Sequence, residues 1–91
     1  MLSPPLHPMC SDLAPTIHIL TTYDQEHLVT YLRLIDADAE GADWSEVARQ
    51  VLRIDPERDP ERARRALESH LARARWITSN GYGHLLRGWQ N

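Results

Sequence analysis

The chain has 91 residues, a formal net charge of −3, and 42% hydrophobic and 25% charged residues. This length suits one small domain, and the composition is too apolar for a disordered chain. No apolar run approaches the ~20 residues that span a bilayer. The single cysteine, Cys10, excludes an internal disulfide. Together these features lead us to expect a cytoplasmic protein with no membrane contact.

The N-terminal region has two parts. Residues 1–14 contain Pro4, Pro5 and Pro8, which predicts a flexible leader ahead of a single domain over residues 15–91. Residues 16–21, TIHILT, are mostly β-branched and apolar. This composition favours a short extended segment that packs along the core.

The first helix is expected after this segment. Asp24 is a candidate N-cap, and Gly41 is a natural stop. Between them the apolar side chains recur at the spacing of one helical face, at Leu28, Tyr31, Leu32 and Ile35. We expect Tyr31 to be buried.

The second helix begins at the sequence DWSE. Asp43 and Glu46 have the spacing of a capping box, and the helix continues through Val47, Ala48, Val51 and Leu52. The small side chain of Ala48 would allow another helix to approach closely.

The third helix follows a polar turn over residues 53–59. Asp59 and Pro60 provide an N-cap with proline at the first helical position, and the helix is expected to run to about Thr78. Its expected buried face consists of Ala63, Ala66, Leu67, His70, Leu71, Ala74 and Ile77. Residues 82–89 are expected to add one or two turns, with Tyr82, Leu85 and Leu86 folded back on the core.

These elements predict a mainly all-α fold: a compact helix-turn-helix-like bundle of three to four helices with a short extended N-terminal segment. The turn at residues 53–59 is longer than the turn of a tight helix-turn-helix. Two packed helices of an ordinary bundle are therefore the alternative.

The third helix carries five arginines. On a helical projection one stripe is expected to be exposed and to bind a partner, and it consists of Arg62, Arg65, Ser69, Arg73 and Trp76. Trp44, at the start of the second helix, is a further candidate. Such a stripe could bind DNA phosphates and guanine edges, or an acidic protein surface. The third alternative is a solvated helix face with ion pairs such as Arg64–Glu68.

The distribution of charge separates these alternatives. Residues 1–61 contain twelve acids and four arginines, whereas residues 62–91 contain one acid and six arginines. A DNA-binding domain normally has a basic surplus, because neutralising phosphates supplies much of its affinity. The acidic majority here favours a protein partner.

No catalytic pattern is present in the sequence. The five histidines lack metal-ligand spacing, and the chain contains no glycine-rich phosphate loop or nucleophile elbow. We expect no enzyme activity, no metal and no cofactor.

The order of segments resembles a known family. The run IHILTTYDQEHLVTYLRLIDADAEGADWSEVA, the helix rich in Arg and Ala, and the terminal GYGHLL are similar to the QseM-like antiactivators. These are proteobacterial helix-turn-helix-like domains of unknown function, and the C-terminal half of the activator FseA shares the domain. The resemblance covers roughly residues 16–88. The one departure is Gly83, where relatives tend to carry a larger polar residue.

The resemblance implies an antiactivator of an integrative and conjugative element. Its partners would be a LuxR-type quorum-sensing regulator and an FseA-like activator, and its binding would repress transfer and excision of the element. We expect a monomer. A direct DNA-binding helix-turn-helix regulator is the alternative, and a purely structural subunit is a third hypothesis.

Overall fold

The computed structural model describes residues 10–82, apart from the side chains of residues 81 and 82. Within this range the chain forms four α-helices and no strand: α1 (Thr22–Glu26), α2 (Leu28–Ala39), α3 (Trp44–Val47) and α4 (Pro60–Ile77). α3 continues into a π-helical turn, Ala48–Leu52, and α4 into another, Thr78–Tyr82. None of these helices is both long and apolar enough to cross a membrane. The predicted all-α, helix-turn-helix-like fold is confirmed.

The first predicted helix is divided at His27, between α1 and α2. Thr21 is the N-cap of α1: its hydroxyl accepts from the Asp24 N–H, at 3.1 Å, and the Asp24 carboxylate accepts from the Thr21 N–H, at 2.8 Å. The assignment of Asp24 as the N-cap is therefore wrong. Asp24 is instead the third residue of a capping box, and its side chain is fully buried.

α2 ends as the sequence predicts. Its last residue is Ala39, and Gly41 has a φ of 70°, the left-handed conformation that glycine adopts without steric cost. The chain then turns into α3 through Ala42 and Asp43.

α3 and α4 begin where the sequence places them, after Asp43 and Asp59. The capping box predicted for α3 does not form, because the Asp43 carboxylate accepts from the Ser45 hydroxyl and caps no backbone N–H. The long turn begins with Arg53, whose φ of 61° ends the π-helical turn in the left-handed conformation. Ala48 is completely buried, as expected for a close helix approach.

Two groups of apolar side chains form the core, and α4 contributes to both. We call the first the apolar cluster. It joins α2, α3, the π-helical turn and the first half of α4, through Leu34, Val47, Ala48, Leu52, Ile54, Ala63 and Ala66. The second joins α2 to the last half of α4, through Leu28, Tyr31, Ala74 and Ile77. Tyr31 is buried, as predicted.

Residues 10–20, here the N-terminal segment, pack against α4. The segment is neither helix nor strand, and it bends at residues 12–13 and 17–19. Ala14 is buried and Cys10 packs against the apolar cluster, and both residues lie in the region that composition assigns to a leader. Residues 1–9 lie outside the described range, as do the predicted contacts of Leu85 and Leu86 and most of the predicted turns at 82–89.

Candidate functional site

The arginines of α4 occupy two different environments. Arg62, Arg64, Arg65 and Arg75 are exposed, whereas Arg73 retains only 4% of its accessible surface. The expectation that Arg73 belongs to an exposed stripe is therefore wrong.

Arg73 is buried because it meets a buried carboxylate. Its Nε donates to Asp24 Oδ1 at 3.0 Å, and its Nη2 donates to Asp24 Oδ2 at 2.7 Å. The remaining donors bind the N-terminal segment: Nη1 reaches the carbonyl of Ile17 at 2.5 Å, and Nη2 that of Ile19 at 2.7 Å. The guanidinium also lies over the ring of Trp76, 4.1 Å from its centroid. Arg73 thus connects α1, α4 and the N-terminal segment.

Asp24 is ionised in this arrangement. Burial acts to raise the pKa of its carboxyl, but hydrogen bonds from Arg73, from Thr21 and from the Tyr31 hydroxyl, at 2.8 Å, hold the pKa below its usual value. Burial and the same carboxylate raise the pKa of Tyr31. The hydrogen bond to Asp24 raises the pKa of Arg73, so the charged pair is stable over the physiological range.

The buried side chain of His70 forms a second set of hydrogen bonds. Its Nδ1 lies 2.7 Å from the Ala66 carbonyl, and its Nε2 lies 2.6 Å from the Tyr23 hydroxyl. These contacts assign a neutral ring in which Nδ1 donates and Nε2 accepts from Tyr23. Tyr23 in turn accepts from the Ser11 N–H at 3.0 Å. Burial lowers the pKa of His70, which favours this neutral form. His70 was expected on the buried face of its helix, and it is fully buried.

The N-terminal segment covers most of the predicted stripe. The Ala14 N–H donates to the Ser69 hydroxyl at 3.1 Å, the His18 ring stacks on Trp76 with centroids 6.2 Å apart, and Asp12 pairs with Arg62 at 2.7 Å. Ser69 and Trp76 are consequently half-buried, whereas Arg62 and Arg65 are exposed. The five stripe residues do lie along one side of α4, but the chain itself occupies much of that side.

Trp44 is not part of this surface. It is half-buried against the apolar cluster, and the guanidinium of Arg64 lies 5.0 Å from its ring centroid. Arg64 also pairs with Glu68 at 3.4 Å, as the sequence suggested, and Arg75 pairs with Asp38 at 2.5 Å. This is a different side of α4 from the side that contacts the N-terminal segment.

An open cleft of about 460 Å³ lies at the start of α4. Its charged lining residues are Asp12, Arg58, Asp59, Glu61, Arg62 and Arg65. Arg62 pairs with Asp12 and, at 3.8 Å, with Asp59. Within residues 10–82, Arg58 and Arg65 form no ion pair. No three His, Cys, Asp or Glu side chains in that range converge as metal ligands would.

Sequence reasoning missed two features of this region. The first is the buried contact between Asp24 and Arg73, which are 49 residues apart, so no local spacing reveals it. The second is the exposure of Ile17 and Ile19 on the N-terminal segment. The apolar composition of TIHILT favoured a segment packed along the core, so the exposure of these two side chains departs from that expectation, and the chain bends at residues 17–19.

Comparison with known families gives a match over nearly the whole chain. The model of the family RovC_DNA-bd, described as a T6SS transcription factor DNA-binding domain, matches residues 6–87. No curated protein matches the chain.

Proposed function

Because the chain belongs to the RovC_DNA-bd family of T6SS transcription factor DNA-binding domains, we propose that it regulates transcription, and that it does so as an antiactivator. It binds a transcriptional activator by protein–protein contact and performs no chemistry. The family match supports the role in transcription, and the electrostatics of α4 support a protein partner.

The observation that carries the proposal is the pairing of the α4 arginines with acids of the same chain. Four of the five arginines contact a carboxylate within residues 10–82, namely Arg62, Arg64, Arg73 and Arg75. A DNA-binding helix gains affinity by bringing unpaired cations to phosphates. An arginine that is already paired has to give up its own carboxylate before it neutralises a phosphate.

The start of α4 also disfavours DNA. The first residues of a recognition helix are the ones that usually reach base edges in the major groove. Here that end carries Asp59 and Glu61, and the preceding turn carries Asp55 and Glu57, all of them exposed. These carboxylates would repel the regularly spaced phosphates that flank both sides of a major groove, whereas a protein partner can place a single carboxylate at an arginine and avoid them.

The partners that we propose are those implied by the resemblance to the QseM-like antiactivators: a LuxR-type quorum-sensing regulator and an FseA-like activator. The contact would block DNA binding by the activator, or its contact with polymerase, and so repress transfer and excision of an integrative and conjugative element. Such a protein acts in the bacterial cytoplasm. The candidate contact residues that the structure leaves exposed are Arg62 and Arg65.

Direct DNA binding is the second candidate function, and the family description is the observation that favours it. The exposed arginines near the start of α4, Arg58 and Arg65, lack ion pairs within residues 10–82 and would be the phosphate contacts.

One titration separates the two candidates. The purified protein is titrated, at low and at physiological salt, with each purified activator and with promoter duplex DNA, and binding is followed by fluorescence anisotropy. We expect saturable binding to at least one activator. For DNA we expect affinity no tighter than the non-specific range of about 10⁻⁴–10⁻⁶ M at physiological salt.

The opposite pattern would sink the proposal. If promoter DNA binds tightly with a steep dependence on salt, and neither activator binds, then the protein is a direct DNA-binding regulator.

A further inference from the structure

In the part of the chain that the structure describes, the large aliphatic side chains that are most exposed all lie on the N-terminal segment. Leu13 is 56% exposed, Ile17 54% and Ile19 64%, and within residues 10–82 no other large hydrophobic side chain reaches this degree of exposure. Scattered exposed aliphatics are ordinary, but a concentration of them on one short segment is typical of an interaction surface.

An open groove lies between this segment and α4. It has a volume of about 220 Å³ and is lined by Pro15, Thr16, His18, Ala72 and Trp76, together with Ser69 and Arg73. Ala72 is exposed on α4, and its methyl group and the Trp76 ring both line the groove. A groove of this kind has room for an aliphatic side chain of a partner.

Two arginines that have no ion pair in the described part of the chain lie next to the groove along α4. Arg65 precedes Ala72 by seven residues, two helical turns or about 10 Å along the same side of α4. Arg58 lines the same cleft as Arg65. Of the carboxylates in this cleft, those of Asp12 and Asp59 are engaged by Arg62, and that of Glu61 has no ion pair within residues 10–82. Two guanidinium groups are thus available for a carboxylate, which a planar arginine side chain binds through two donors.

We propose that the outer face of the N-terminal segment, the groove beside Ala72, and Arg58 and Arg65 together form the surface that binds the activator. This proposal rests on the antiactivator function. The partner it fits is an acidic, aliphatic protein segment that places a carboxylate and an aliphatic side chain about 10 Å apart, the distance spanned by seven residues of a helix. Arg73 and Ser69 then hold the N-terminal segment against α4, and the outer face of the segment is part of the binding surface.

Three variants test this surface. Arg65→Glu reverses the charge at the arginine end of the surface, and Ala72→Arg fills the groove. The double variant Ile17→Ser/Ile19→Ser removes exposed aliphatic side chains. All four positions are exposed, so the variants should fold, and circular dichroism melting of each checks this. Arg64→Glu is the matched control: it makes the same change of charge one residue away, on the side of α4 that faces Trp44.

The probe is the full-length activator that the wild-type protein binds most tightly, with anisotropy as the readout. We expect each of the three variants to raise Kd at least tenfold and Arg64→Glu to change it less than threefold. Replacing one acidic residue of the activator with Arg should restore binding to Arg65→Glu and weaken binding to the wild type.

Each other outcome overturns the proposed surface. If the activator binds the wild type and all three variants equally, the surface is wrong while the antiactivator function stands. If Arg64→Glu weakens binding as much as Arg65→Glu, the effect is one of net charge and the surface is again wrong. If the wild type binds neither activator, the antiactivator function fails, and the surface fails with it.

Discussion

The two halves of α4 are held in place by different interactions. The first half packs on α3 through the apolar cluster, where Ala63 and Ala66 are fully buried against aliphatic neighbours. The second half packs on α2 through the second group of apolar side chains, and it also buries Arg73 and His70, which bind Asp24 and Tyr23. The first half therefore makes an apolar contact, whereas the second half combines an apolar contact with a buried polar one.

This difference assigns a role to each half. Apolar contacts are non-directional and tolerate small shifts. A buried guanidinium, in contrast, requires hydrogen bonds to its carboxylate and carbonyl partners, because burial of an unpaired charge is strongly unfavourable. The apolar half supplies the helix-turn-helix shape. The polar half fixes the position of the N-terminal segment, because Arg73 binds the carbonyls of Ile17 and Ile19.

The largest effect is expected at the polar end. Arg73→Ala leaves the Asp24 carboxylate buried with no guanidinium, and removal of one partner from a buried pair costs about 3–5 kcal/mol. The free energy of unfolding, measured with urea, gives the loss. Arg73→Lys retains the charge but not the two-donor contact with Asp24, and we expect a smaller loss that still leaves a folded protein.

Arg75→Ala is the control for Arg73→Ala. It removes another arginine of the same helix, whose pair with Asp38 is exposed, so a loss below about 1 kcal/mol is expected. Equal losses at the two positions would show that burial of the Asp24–Arg73 pair has no energetic consequence.

A smaller effect is expected at the apolar end. Ala48 is fully buried in the apolar cluster, and Ala48→Leu forces a larger side chain into that contact. Overpacking of this kind costs about 1–3 kcal/mol. Ala39→Leu, at the exposed end of α2, should change stability by less than about 0.5 kcal/mol. A neutral Ala48→Leu would mean that the π-helical turn and α4 are not closely packed there.

The same contrast explains how much the sequence could predict. The bounds of α4, the long turn before it and the burial of Ala48 follow from apolar periodicity, a proline and a small side chain, all of which are local signals. The polar end has no local signal. Arg73 is four residues from Ser69 and three from Trp76, so a helical projection assigns it to their stripe, and only its distant partner Asp24 explains why it is buried.

The candidate surface was only partly predictable for a related reason. The charge of Arg62 and Arg65 and their exposure could be inferred from the sequence of α4. The covering of Ser69 and Trp76 by the N-terminal segment could not, because the path of a non-helical segment depends on tertiary contacts such as Ala14 to Ser69.

The polar end should also make stability depend on pH, in a direction that His70 determines. Burial lowers the pKa of folded His70, and the charge of His27 acts in the same direction, while the hydrogen bond to Ala66 opposes them. As the pH falls below about 6.5, the ordinary pKa of histidine, the unfolded chain binds a proton that folded His70 resists. The contribution of His70 to the free energy of unfolding is therefore fully present above pH 6.5. It is lost on acidification, at a rate of at most about 1.4 kcal/mol per pH unit.

Urea unfolding between pH 8 and pH 5 measures this dependence. His70→Gln should be less stable than the wild type at pH 8, because it loses the ring contacts with Ala66 and Tyr23, but its stability should fall less steeply with pH. Identical slopes in His70→Gln and the wild type would assign the pH dependence elsewhere and would show that the buried ring does not resist protonation.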